Sequence, residues 1–454
     1  MGGRRNLFGM SAEARARLVA RLAAAAPGGE GSQAARLEVS RLDGYRDIEM
    51  LREAGEYLGI PDPFFRVHDG IAGAETVIDG RRYVNFASYD YLGLNGDERI
   101  SGAAKAAIDR YGTTVSASRA VSGERGVHRA LEEALARLYG CEDSLVMVGG
   151  HATNVTTIGC LFGRDDVVVH DALIHNSILE GARLSGARRL AFPHLDHEAA
   201  DRLLGAARRR GGKALLALEG HYSMDGDVPD LGAFLAVARR HRASLLVDEA
   251  HALGVIGTRG CGSAERCGID PGEVDIWMGT LSKSLVSCGG YIAGRGELIG
   301  YLKRAAPGFV YSVGIAPAAA AAALAALEVL QAEPLRVRRV NERASLFLRL
   351  ARDAGLDVGG SVGAAIVPVI TGSSIAAARL AEALFRRGIN VQPIIYPAVP
   401  ERAARLRFFL TAAHGEGQIR EAVRALAEES RRISVEPSDI AALARRLGKP
   451  MPGQ

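Results

Sequence analysis

The chain has 454 residues, 48% hydrophobic and 24% charged, the mix of a globular protein of two or three domains. A formal net charge of +4 is small for this length and makes no case for nucleic acid, and no apolar run reaches the roughly 18–20 residues that span a bilayer. The start carries Arg4 and Arg5 without a following apolar stretch, so neither signal peptide nor anchor is expected and the cytoplasm is.

In chain order, SAEARARLVARLAAAA at 11–26 has helical spacing, with Leu18 and Leu22 four apart and Ser11 as its cap. PGGEGSQ breaks it, so residues 1–40 read as a helix and linker, either an ordered arm or a connector to a multidomain assembly line. Residues 41–95 read as an N-terminal arm. From about 96 to 345, helical stretches such as HRALEEALARLYG alternate with short apolar runs: SLVMV, DVVVH, ALLALEG, SLLVDEAH, VDIWMG and GGYIAG. Such alternation predicts βα units around a mostly parallel sheet. Long helices dominate 318–356, and AAIVPVI, INVQPII and RLRFFLTAA then predict strands of a smaller α+β unit within 346–454. The fold class is therefore α/β. The cysteines (Cys141, Cys160, Cys261, Cys267, Cys288) are odd in number and lack CxxC spacing, which supports neither a disulfide framework nor a metal site.

Lysine usage is informative. Of 56 basic residues only Lys105, Lys213, Lys283, Lys303 and Lys449 are lysine. Lys283 sits in GTLSKSLVSCGG, among the smallest residues. It is either an incidental charge on a turn or an amine held against a ligand, and only lysine can supply a deprotonated, nucleophilic amine. Open α/β sheets bind ligands at the carboxyl ends of their strands. SLLVDEAHALG ends one strand at Asp248, with His251 three residues on, and GTLSK ends another. An aspartate there can hold a protonated pyridine nitrogen, and a lysine can form a Schiff base with an aldehyde. Those are the two electronic requirements of pyridoxal phosphate chemistry. VGGHATN follows the strand SLVMV and opens a helix, so the N–H groups of Gly150 and His151 would meet a phosphate, with hydroxyls from Thr280 and Ser282. Bland readings stand beside these. Asp248 could cap a following helix, and His128, His194, His197 and His241 read as satisfied structural histidines.

Taken together, DEAHALGVIG, GTLSKSLVSCGGYIAG, SMDGD, YLGL and RLRFFLTAAH resemble the α-oxoamine synthases, pyridoxal phosphate enzymes of fold type I, over roughly residues 45–430. The resemblance implies a large cofactor-binding domain with a mostly parallel sheet, a smaller C-terminal α+β domain, pyridoxal 5'-phosphate, and a homodimer with its site at the subunit interface. Under it Lys283 matches the Schiff-base lysine, Asp248 the carboxylate on the pyridine nitrogen, and His251 the donor to the ring phenolate oxygen. His175 matches the histidine that stacks on the ring and assists the carbonyl chemistry. Ser223 matches a second phenolate partner, Arg407 the holder of the amino-acid carboxylate, and Ser312 a phosphate contact from the second subunit. Three positions depart or discriminate: Tyr89 stands near the substrate where relatives usually have asparagine, His151 where they have Phe or Tyr, and Ser118 where glycine-selective members usually have threonine.

The reaction so implied is a decarboxylative Claisen condensation. An amino acid displaces Lys283, the freed amine takes the Cα proton, and the carbanion attacks an acyl thioester of coenzyme A or an acyl carrier protein. Loss of CO₂ leaves an α-amino ketone. Ser118 leaves room for a methyl or hydroxymethyl group, so alanine or serine is expected over glycine. Another fold type I enzyme, such as an aminotransferase, is the rival, and it would release a keto acid without any thioester.

Overall fold

The computed structural model describes residues 37–208 and 211–433. The helix expected over 11–26 and the linker after it lie outside them. The chain divides into a part ending at Leu58 and a part starting at Gly59. In the first, the helix Asp43–Leu58 carries Arg52 paired with Glu49 and Glu56, one turn to either side.

The second part is built on three sheets. The seven-stranded sheet contains β4 (Asp143–Met147), β5 (Val167–Asp171), β6 (Arg188–Phe192), β7 (Ala214–Glu219), β8 (Ser244–Asp248), β9 (Ile276–Thr280) and β10 (Gly290–Gly294), in the order β4-β10-β9-β8-β7-β5-β6. The pairs from β9 across to β6 are parallel, while β10 is antiparallel to both β4 and β9. That reversal has a simple cause. Residues 281–289 are too few to cross back over the sheet, which takes a dozen or more. The chain therefore turns at the strand ends, and the turn is the segment that carries Lys283.

Alternate residues of the central strands enter two cores. Leu216, Leu218, Leu245, Val247 and Trp277 face one side, while Leu215, Ala217, Leu246, Ile276 and Met278 face the other. Burial on both faces explains why these strands read as unbroken apolar runs. Helices such as Gly126–Leu138 and Pro317–Ala332 close the first side, and Gly150–Leu161, Asn176–Ser185 and Gly296–Ala305 the second.

The arm expected over 41–95 contains strands that the sequence reading does not include. β1 (His68–Asp69), β2 (Glu75–Ile78) and β3 (Arg81–Asn85) are antiparallel, and Asp79 and Gly80 form the β2–β3 turn with φ of 49° and 75°. An Asp-Gly pair is the common choice for such a two-residue hairpin. INVQPII, expected as one strand, is divided: β12 (Ile389–Asn390) extends this sheet parallel to β3, and β13 (Gln392–Ile394) joins another. The third sheet has the order β11-β14-β13, with β11 at Ile366–Ile370 and β14 at Arg405–Phe409, all antiparallel. The helices Leu335–Asp353, Ser374–Arg386 and Glu416–Ile433 contribute to its core.

Among the described residues no single helix is long and apolar enough to cross a membrane, and no group of side chains could hold a metal ion. The carboxyl ends of β4, β5, β7, β8 and β9 lie along one edge of the large sheet. Trp277, wholly buried in β9 and stacked on Tyr139 at 5.2 Å, anchors the middle of that sheet. Trp277→Ala is expected to lower the unfolding free energy by about 3–5 kcal/mol in urea titrations.

Candidate active site

Lys283 lies in a tight loop whose backbone closes on itself: Leu281 N–H donates to Gly289 O, Ser287 N–H to Leu281 O and Val286 N–H to Lys283 O. Val286 has φ of +40°, which is costly for a β-branched residue and persists only where neighbours enforce it. Ser284 supplies part of that enforcement. Its hydroxyl donates to Leu253 O at 2.6 Å, pressing the loop onto the turn that follows Asp248. The small residues are required there. A Cβ on Gly290 would lie 2.7 Å from Gly150 Cα, and one on Gly150 would lie 2.9 Å from Thr280 Oγ1.

Asp248 ends β8, is buried, and accepts on both oxygens. Ala250 N–H donates to Oδ1 at 2.9 Å and Asn154 Nδ2 to Oδ2 at 2.8 Å. The Ala250 bond closes a turn; no helix starts there, so the capping alternative is not realised. Asn154 Nδ2 also donates to Ser177 Oγ at 2.9 Å, and Ser177 Oγ lies 2.7 Å from His175 Nδ1. Because Ser177 accepts from Asn154, its own proton goes to Nδ1, and His175 carries its remaining proton on Nε2. A continuous chain of bonds thus links Asp248 to His175. The protein around His175 lowers its pKa, opposed by Asp248 and aided by Lys283, His151 and Arg407.

His251 is buried, with Nδ1 2.7 Å from the Tyr91 hydroxyl. That hydroxyl has no other hydrogen-bond partner among the described residues, so its proton serves Nδ1 and leaves Nε2–H as the ring's donor. Burial holds His251 well below its ordinary pKa and Tyr91 well above its own, which keeps both neutral. The Tyr89 ring stands 5.6 Å from Lys283 Nζ, 6.0 Å from the His251 ring and 4.8 Å from the Phe409 ring. Arg407 and Phe409 sit two apart on β14 and so share a face, with the guanidinium 4.6 Å from the Phe409 ring. Arg407 Nη1 donates to Ser223 O at 3.0 Å. Ser223 is buried, and its N–H donates to Glu219 Oε2 at 3.1 Å.

Glu219 ends β7 directly beside Asp248 in the parallel register. Burial, and next the Asp248 charge, push its carboxyl up to about 8. Burial drives the Lys283 ammonium down to about 8, against the pull of Asp248 and Glu219. A free amine is therefore accessible close to neutral pH.

The structure brings Lys283, Asp248, His251, His175, Arg407, Ser223 and Tyr89 into one network. Gly150 opens the helix Gly150–Leu161 behind Thr280, whose Oγ1 is 2.8 Å from Ser282 Oγ. His151 follows, its ring 6.3 Å from that of His175. Ser118 and Ser312 stand apart: no hydrogen bond or ring contact among the described residues joins either to Lys283. They lie on neighbouring segments instead, linked by Gly314 N–H to Ala117 O. Ser312 Oγ donates to Val313 O. His128 bonds Ile315 O and His241 bonds Asp201, the structural roles read from the sequence.

Sequence reasoning missed Asn154, Ser177, Tyr91 and Glu219. Two had a legible signal. Glu219 ends an apolar strand as Asp248 does, and Asn154 lies one turn past the helix start at Gly150.

These residues fit pyridoxal phosphate. A half-buried amine of lowered pKa lies beside a buried carboxylate, a helix begins behind two hydroxyls, and Asn154 Oδ1 and Arg407 Nε are buried without partners. Native interiors leave few such atoms unless a ligand takes them. The model of the aminotransferase class I and II family matches residues 81–426. The 8-amino-7-oxononanoate synthase of Geobacter sulfurreducens is 40% identical over 392 residues, covering 86% of this chain and 98% of that protein. The serine palmitoyltransferase of Sphingobacterium spiritivorum is 34% identical over 396 residues, covering 87% and 97%. Among solved structures, Sphingomonas wittichii serine palmitoyltransferase superposes with a TM-score of 0.83 at 30% identity, covering 89% of this chain and 100% of that one. The chain belongs to the aminotransferase class I and II family, in its α-oxoamine synthase group of pyridoxal-phosphate-dependent acyltransferases.

In the apo-protein, acylation of Lys283 followed by mass spectrometry is expected to have its midpoint near pH 8. Asp248→Asn moves that midpoint lower, because the carboxylate favours the ammonium form.

Proposed function

We propose that the chain condenses a small amino acid, alanine or serine rather than glycine, with an acyl thioester, releasing CO₂ and the thiol and leaving an α-amino ketone. The observation that carries this reading is the placement of one amine, Lys283 Nζ, within the field of Asp248 and 5.6 Å from the Tyr89 ring, which packs on Phe409 beside Arg407. Pyridoxal phosphate supplies an aldehyde for that amine and an electron sink for the charge left at the amino-acid Cα.

The chain's own residues supply the rest. Asp248, kept in place by Asn154 and Ala250, presents a carboxylate to the pyridine nitrogen. His251 Nε2–H and the Ser223 hydroxyl would face the phenolate oxygen. The first turn of the helix Gly150–Leu161, with Thr280 and Ser282, receives the phosphate. Arg407 grips the amino-acid carboxylate from a position fixed by Ser223 O. Lys283 takes the Cα proton, and its lowered pKa suits a base at neutral pH. His175 offers Nε2–H to the thioester oxygen as charge develops there.

Three observations support the finer points. Ser118 Oγ is buried without a partner, and a serine there is smaller than the threonine of glycine-selective members, which suits a slightly larger amino acid. The Tyr89 ring occupies space beside Lys283 that asparagine would leave open. For a homodimer, Ser312 lies between Tyr311, 87% exposed, and Val313, 49% exposed, with Val121, 83% exposed, on the adjoining segment. An apolar face of this kind is buried when a second copy covers it.

Turnover across amino acids and thioesters, read by mass, tests the reading. CO₂ and an α-amino ketone are expected with alanine or serine, whether the acyl group arrives on coenzyme A or on a carrier protein. A keto acid formed without any thioester sinks the proposal and favours an aminotransferase. Lys283→Ala is expected to remove both turnover and the protein's visible absorbance. Arg407→Lys loses the planar fork and is expected to raise the amino-acid KM by about tenfold or more, with a smaller effect on kcat.

A further inference from the structure

His194 looks structural in the sequence, and its surroundings give it a more specific task. Its ring is clamped on both nitrogens, Nδ1 2.8 Å from Asp171 Oδ1 and Nε2 2.9 Å from Asp227 Oδ2. A carboxylate only accepts, so each nitrogen must bring a proton, and a ring with two protons is an imidazolium. Asp171 ends β5 and accepts on both oxygens, from Leu173 N–H at Oδ1 and Leu195 N–H at Oδ2. Asp227 closes the loop 222–227, where Tyr222 N–H donates to Asp227 O and Gly226 N–H to Tyr222 O.

That loop carries the candidate site's contacts to the third sheet. Arg405 Nη1 donates to Asp225 Oδ1 at 2.8 Å and to Met224 O at 2.9 Å, and Arg407 Nη1 donates to Ser223 O at 3.0 Å. His194 is the ionic tie between the loop and β5.

We propose that His194 is a positioning residue, charged at neutral pH, whose imidazolium clamps the 222–227 loop to the large sheet and thereby aims Arg407 at the amino-acid carboxylate. The proposal rests on the reading of Arg407 as the carboxylate holder. The titratable groups facing the ring are Asp171 from β5, and Asp227 and Tyr222 from the loop, the Tyr222 ring edge-on at 4.5 Å. Burial keeps Tyr222 protonated well past neutral pH. Burial also opposes the charge on His194, but the bonds to Asp171 and Asp227 overcome it and lift the ring to about 10. The sign follows. A histidine raised above its ordinary value of 6.5 stabilises the fold fully below that value, and the contribution fades as pH rises towards 10.

The test uses the full-length holoenzyme and His194→Asn. Two quantities are measured: the amino-acid Kd by spectral titration, and Tm from pH 6 to pH 10.5. The variant is expected to keep the visible band of the bound cofactor and to weaken amino-acid binding by about tenfold. The wild-type Tm advantage over the variant is expected to shrink as pH rises from 7 to 10. Parallel Tm profiles overturn the charge, and an unchanged Kd overturns the positioning role. If His194→Asn fails to fold, Asp227→Asn removes one carboxylate and should move the loss of Tm to lower pH. A profile identical to wild type overturns the proposal in that case. A wild-type enzyme whose spectrum ignores every amino acid would instead defeat the functional reading, and the Tm profiles would still decide the clamp.

Discussion

Lys283 and Asp248 are opposite charges at the ends of adjoining strands, in a crevice where water is scarce. Most of the site can be read as the arrangement that makes this tolerable. Burial alone would discharge the amine, and the carboxylates of Asp248 and Glu219 hold it back, so that it sits near 8 rather than lower. Asp248 in turn needs donors, and it has them from Asn154 and from the backbone of Ala250. The Lys283 amine therefore titrates where a base working at neutral pH should.

The same economy of charge extends outward. Glu219, beside Asp248 in register, is pushed up to about 8, so two neighbouring carboxyls need not both ionise at neutral pH. Further along the sheet edge, His194 answers Asp171 and Asp227. Across the crevice, Arg405 is matched to Asp225. Among the described residues, Arg407 donates to a backbone carbonyl and a thioether, and its Nε is buried without a partner.

The two histidines nearest Lys283 are kept neutral by different means. His251 is buried and accepts from Tyr91. His175 caps the helix Asn176–Ser185 and accepts from Ser177. Each therefore offers one proton on Nε2, in a direction set by a neighbour and not by pH near neutrality. Tyr89, the departure from asparagine, stands within reach of both Lys283 and His251.

Much of this was legible beforehand. The apolar runs announced the strands because a sheet buried on both faces needs no alternation, and Lys283 stood out because the chain otherwise prefers arginine. Asp248 and His251 were readable because they follow a strand end within a few residues. Short-range patterns of this kind survive in one dimension. The reversed direction of β10, the division of INVQPII between two sheets, and the pairings made by Asn154, Ser177, Tyr91 and His194 were not legible. Asn154 meets Asp248 from 94 residues away, and Tyr91 meets His251 from 160. Only the sheet order and register bring such residues within 3 Å. The sequence by itself determined which chemical groups are present and which local elements carry them. The tertiary structure decided which of them touch, and so which protons and charges each one keeps.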